Sequence, residues 1–231
     1  MGSESYKELD YRAGFVRKVT SIVAFQLAIS AVCCIYAMQE KQFALLLSQF
    51  GIQIIAGILC IIFYLILRCS ELRNRVPYNY FLLIGFTLCQ SVLPSVLCSI
   101  ADTESVSLAF IITAGIVVTL TLFCLNNSIS VSLMYKLIVL LIALPFISLF
   151  VAIFVRGAEG IIIISALSAA VFGIYFIIDL QRILGKTGSR GDYTYDDYII
   201  ASLEIYVDII KIFIHILRIF IASKLNEKKK K

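Results

Sequence analysis

YIIASLEIYVDIIKIFIHILRIFI, residues 198–221, is long enough to cross a bilayer and yet carries five ionisable side chains. Glu204, Asp208, Lys211, His215 and Arg218 follow one another at steps of four, three, four and three. At about 100° per residue they share one stripe roughly 80° wide, and the opposite face is almost entirely Ile, Leu, Val and Phe. Fifteen strong apolar residues contribute roughly −7 kcal/mol to insertion, while Asp208, Lys211 and a central Glu204 oppose it by about 3 kcal/mol each. Alone in lipid such a helix barely breaks even. Its charged stripe is therefore expected to face protein or water, and ionisable residues inside a membrane are functional-site candidates.

Outward from this segment the composition sets the class. A mean hydropathy of +0.97, 61% hydrophobic content and 15% charge exclude an ordinary soluble domain and predict an all-α, polytopic membrane protein with short tails. The net charge of +5 sits in end segments and loops, which fits membrane topology rather than nucleic-acid binding. Seven cysteines (33, 34, 60, 69, 89, 98 and 124) show no CxxC or His pairing and read as small buried hydrophobes.

Three parts follow: an N-terminal amphipathic segment over residues 1–18, a membrane domain over 19–221, and a basic tail over 222–231. In the first, Arg12, Phe15, Val16 and Val19 recur at helical spacing, which predicts a surface helix running into the first span. Spans are predicted at Val19–Met38, Phe50–Leu67, Tyr78–Ile100, Val106–Leu125, Leu137–Val155, Gly160–Ile178 and Tyr198–Ile221. Pro94 and Pro145 are expected to kink the third and fifth. Gln26, Gln53 and Gln90 are expected to act as hydrogen-bonding glue between helices.

Basic residues set the expected orientation. With a cytosolic N-terminus, that side receives Lys7, Arg12, Arg17, Lys18, Arg68, Arg73, Arg75, Lys136, Arg182, Lys186 and Arg190, against Lys41 and Arg156 opposite. The acidic loop ADTES, with Asp102 and Glu104, then faces the lumen. The lysine-rich tail opposes this count if the seventh segment crosses fully, whereas a re-entrant segment would return it to the cytosol. A full crossing is expected, since no Gly or Pro marks a turn within the segment.

Asp179, in GIYFIIDLQRILG, and Asp208 fall in the cytosolic halves of the sixth and seventh spans, which form a hairpin. One reading makes them a functional carboxylate pair; the other has each neutralised locally, Asp179 by Arg182 and Asp208 by Lys211, both at i+3. His215 and Arg218 are expected to line the helix or reach for the interface. Glu159 reads as a luminal ion pair with Arg156, or as an acidic pore mouth. No HExxH or GxSxG occurs, so neither a metal centre nor a serine hydrolase is expected.

The motifs YRAGFVRKVTSIVAFQL, RVPYNYFLLIGFTL, GIYFIIDLQRIL and DDYIIASLEIYVDIIKIFIHILRIF together resemble the transmembrane BAX-inhibitor-motif family over about Tyr11–Ala222, and most closely its Golgi anti-apoptotic branch, whose members include poxvirus-encoded copies. The short N-terminal tail resembles the viral copies. The resemblance implies a seven-helix bundle with the last helix central, residence in Golgi or endoplasmic reticulum membranes, a leak of calcium or other cations, and suppression of apoptosis. It also implies that Asp179 and Asp208 form a pH-sensitive pair. Lys211 stands where the family commonly has Asn, Gln90 where relatives often carry Glu, and Glu204 at a usually uncharged place. These departures bear on conductance and selectivity, not on the fold.

The expectation is a monomeric bundle without cofactor whose seventh helix lines a pore closed from the cytosolic side. Glu204, Asp208, Lys211 and His215 line it, with calcium as the permeant ion passing Asp179 and Asp208. An intramembrane aspartyl protease would also need two membrane carboxylates, but Asp208 follows Tyr206 and Val207, not the Gly-x-Gly of that chemistry. A non-conducting adaptor of cell-death membrane proteins would need no buried charged stripe. Lys228 and Lys229 resemble a retrieval signal that works only on a cytosolic tail.

Overall fold

Long runs of Ile, Leu, Val and Phe broken by small residues become helices because, in an apolar setting, the backbone can satisfy its N–H and C=O groups only within itself. The computed structural model describes residues 2–126, 157–185 and 193–230, and every regular element among them is helical. The helices are α1 (Gly2–Gln39), α2 (Lys41–Ser48), α3 (Phe50–Cys69), a 3-10 turn at Glu71–Asn74, α4 (Tyr78–Ile100), α5 (Thr103–Asn126), α6 (Ala158–Ile183) and α7 (Tyr198–Lys230). Helices α1, α3, α4, α5 and α6 are long and apolar enough to cross a membrane. Six expected spans each lie within one helix; the span Leu137–Val155 with Pro145 lies outside the described residues, as do Lys136, Arg156, Lys186 and Arg190. Pro94 sits buried inside α4, which continues through it.

Two elements depart from the expectation. KQFALLLS forms the short helix α2 where the sequence reads as a loop, because Phe43 packs edge-on to Tyr36 at 4.9 Å and Leu47 is buried. The segment expected on the membrane surface is the in-line start of α1, whose buried face begins at Phe15 and continues through Val19 and Val23. Arg12 donates to the Tyr193 carbonyl at 3.1 Å, and the rings of Tyr11 and Phe15 meet Tyr195. Gly185 makes that approach possible. It ends α6 at φ +67°, where its N–H bonds the Arg182 carbonyl, and a Cβ there would stand 2.8 Å from the Arg12 guanidinium.

The chain divides into two compact units, Met1–Ser99 with Arg182–Tyr206, and Ile100–Gln181 with Val207–Lys231. In the first, α1 and α4 are joined by a polar ladder. Gln26 donates to Thr87 at 3.0 Å, Ser30 bonds Ser91 at 2.9 Å, and Ser95 donates to Cys34 at 3.8 Å. Each rung joins residues 61 apart, one rung every four residues, so the two helices run in parallel with their small side chains at the seam. Tyr206 of α7 reaches the middle rung, its hydroxyl 2.7 Å from Ser30. In the second unit, Cys124 of α5 bonds the Ile177 carbonyl of α6 at 3.8 Å, and Phe172 of α6 stacks on His215 of α7 at 5.7 Å.

Helix α7 is the most enclosed of the described elements: no residue from 197 to 224 is exposed. It is also unbroken over 33 residues, about 50 Å, with no turn inside it. By contrast α3 buries only Ala56 and Leu67 and turns Ile54, Ile55, Ile58 and Ile61 outward, as a lipid-facing helix does.

Candidate functional site

Glu204 lies less than two turns into α7 and is caught by groups from three other segments. Arg68, near the end of α3, binds Oε1; Arg182, near the end of α6, donates to Oε2 at 3.3 Å; and Tyr193 donates its hydroxyl to the same oxygen. Arg182 also stacks over the Tyr193 ring at 4.3 Å and donates to its hydroxyl at 3.0 Å. The Glu204 side chain is 14% exposed. Partial burial of a charge requires compensation, and two guanidiniums plus a phenol supply it. This carboxylate clamps α3, α6 and α7 together and is not an open oxygen ligand.

More basic residues converge at the start of α7. Lys18 places its ammonium 3.2 Å from the centre of the Tyr198 ring, Arg73 pairs with Asp197 at 3.6 Å, and Asn79 donates to the Arg73 carbonyl at 3.0 Å and to the Tyr198 hydroxyl at 3.1 Å. Lys18, Arg68, Arg73 and Arg182, four of the residues that the charge count assigns to one side, thus meet in one place.

Asp179 and Asp208 occupy the second unit, on α6 and α7. Asp208 is 5% exposed and Asp179 half-buried, and both are engaged by neighbouring groups. Lys211, one turn after Asp208, is half-buried and likewise engaged. His215 lies flat on Phe172 rather than reaching for an interface, and Arg218 is half-buried one turn further on. Glu159 is exposed in the first turn of α6; Arg156, its expected partner, is outside the described residues. Among the described residues, no three His, Cys, Asp or Glu side chains converge as metal ligands.

Gln26 and Gln90 do bridge helices, Gln90 by accepting from the Cys60 thiol of α3 at 3.2 Å. Gln53 does not. Its amide turns back to the Ser48 carbonyl, an orphan acceptor left at the end of α2. Of the cysteines, Cys98 and Cys124 are fully buried, but Cys69, the last residue of α3, is exposed and departs from the expectation.

The far end of α7 is fixed as well. Lys224 contacts Asp102, in the loop that follows α4, at 2.6 Å and Glu104, in the first turn of α5, at 3.6 Å. Asp102 caps α5 by accepting from the Ser105 N–H at 3.1 Å and hydroxyl at 2.9 Å. The Lys224 ammonium, helped by these Ser105 bonds, holds the Asp102 carboxyl well below the usual carboxylate range, and Asp102 in turn raises Lys224. Tyr198 meets the start of α4 and Lys224 the loop after its end.

A family described as inhibitor of apoptosis-promoting Bax1 matches residues 12–225. The chain is 29% identical to protein lifeguard 3 of Homo sapiens, over 94% of this chain and 71% of the relative. It is 30% identical to a BI1-like protein of Arabidopsis thaliana, over 93% and 83%, and 27% identical to the Golgi anti-apoptotic protein of Vaccinia virus (strain Lister), over 92% and 86%. The match takes in the clamp, the ladder and both aspartates, and the chain therefore belongs to the Bax1-inhibitor family of polytopic membrane proteins.

Proposed function

We propose that this protein suppresses apoptosis by leaking cations, calcium foremost, from an intracellular store across the membrane in which α7 is buried. The observation that carries the reading is Asp208, a carboxylate 5% exposed on a helix with no exposed residue from 197 to 224. An acid at such a place opposes insertion by about 3 kcal/mol, and a non-conducting adaptor would gain nothing from keeping it. Carboxylate oxygen suits a hard cation. The relative named as a Golgi protein supports a Golgi membrane as the site.

In this reading the N-terminus is cytosolic, as supported by the convergence of Lys18, Arg68, Arg73 and Arg182 at the start of α7. The clamp on Glu204 closes the path at that end by tying α3, α6 and α7. Deeper, Asp179 and Asp208 share a proton as a latch, with Arg182, Lys211 and His215 as the nearby charged or titratable groups. Either loss of that proton or gain of a second loosens the latch, so leak depends on pH. Lys211 damps cation flux. With α7 crossing completely, Lys228 and Lys229 emerge on the luminal side, where a retrieval signal is not read.

Purified protein in liposomes loaded with a calcium dye tests the reading. Wild type should leak, and Asp208→Asn, inserted equally well, should leak several-fold less. Equal leak from both would overturn it.

A further inference from the structure

The ladder between α1 and α4 ends on two thiols. At its last rung Ser95 donates to the Cys34 sulfur at 3.8 Å. One helical turn beyond Ser95, on the same face of α4, Cys98 is 0% exposed and shares a hydrogen bond with Cys34. Cys34 is half-buried, five residues before the end of α1 at Gln39, and Cys98 is two before the end of α4 at Ile100. The pair therefore lies within about 8 Å, along the axes, of where both helices emerge. The other rungs pair hydroxyls and amides; here Cys34 also meets a second thiol, and two thiols can be joined covalently.

We propose that Cys34 and Cys98 are a redox-modification site, oxidised to a disulfide by a small-molecule disulfide, that fastens the end of α1 to the end of α4. The Cys34 thiolate, the more accessible of the two, attacks a sulfur of the oxidant; the S–S bond of the oxidant breaks and one thiol leaves. The Cys98 thiolate then attacks the Cys34 sulfur of the mixed disulfide and expels the second thiol. Two thiols lose two electrons and two protons, and the oxidant, gaining both, leaves as two thiols. The ladder holds the sulfurs together beforehand, so the second step needs only a side-chain rotation, whereas Cys33, next to Cys34, points about 100° away around α1. On the topology proposed above, this end faces the oxidising lumen.

The test does not depend on whether the protein conducts ions. Full-length protein in detergent is treated with oxidised glutathione, alkylated, digested without reduction and analysed by mass spectrometry. We expect alkylatable thiols to fall from seven to five, with the Cys34 peptide linked to the Cys98 peptide and released by reductant. Cys98→Ser should abolish the link, and Cys124→Ser should leave it intact. Cys34 and Cys98 remaining as alkylatable as Cys124, a Cys33–Cys34 link in their place, or stable glutathione adducts on Cys34 without closure would each overturn the proposal.

Discussion

Replacing Glu204 by Ala removes the carboxylate of the clamp and leaves Arg68, Arg182 and Tyr193 without their shared acceptor. Breaking a fully buried pair costs about 3–5 kcal/mol, and a hydrogen bond to a charged group is worth about 1.5–3 kcal/mol. The guanidinium side chains are 44% and 26% exposed, so water re-solvates part of what is lost, and the low end applies: about 3 kcal/mol. Arg68→Ala is milder at about 1 kcal/mol, because Glu204 keeps Arg182 and Tyr193. Arg182→Ala falls between, at about 2 kcal/mol, since it also removes the stacking on Tyr193. Reversible unfolding in mixed SDS micelles gives these values, and the Arg68/Glu204 double-mutant cycle isolates their pairing. Arg68→Ala and Glu204→Ala being additive, or Glu204→Ala costing no more than Arg68→Ala, would refute the clamp.

Tyr206→Phe should destabilise by about 1 kcal/mol in the same assay, since Ser30 and Ser91 still bond each other when the phenol is gone. The α7 tail should be released by salt and not by ordinary pH change. Asp102, shifted down, keeps its contribution above the usual carboxylate range and loses it only as pH falls through its lower folded value; Lys224, shifted up, keeps its own until pH rises beyond the usual lysine range. A spin label at Leu225 should therefore show the same mobility from about pH 5 to 9 but gain mobility between about 0.05 and 1 M salt, because this exposed pair is screened. Lys211→Asn should raise calcium flux through liposomes, and unchanged flux would show that its ammonium does not face the ion path.

Most of the fold follows from local rules visible in the chain. Apolar runs of span length become helices wherever they are described, and the spacing of Glu204, Asp208, Lys211, His215 and Arg218 requires that α7 be enclosed, as it is. What stays hidden is long-range choice of partner. Nothing in the chain announces that Arg182 reaches Glu204 and Tyr193, or that Arg68 meets Glu204 across 136 residues. The ladder did leave a trace: Gln26, Ser30 and Cys34, like Thr87, Ser91 and Ser95, recur every four residues, a polar seam in otherwise apolar helices. Helix α2 is not legible in the chain because eight residues are too few for a periodic signal, and its stability comes from Tyr36 and from burial of Leu47.

The pH profile of calcium leak from liposomes, recorded for wild type, Asp179→Asn, Asp208→Asn and the double variant, tests the central claim most directly. A shared proton makes the two carboxylates one unit, so either single change should flatten the profile and the second should add little. Two single variants that keep distinct, additive pH responses, or a wild-type leak that ignores pH, would contradict the latch and leave each aspartate to its local charge partner.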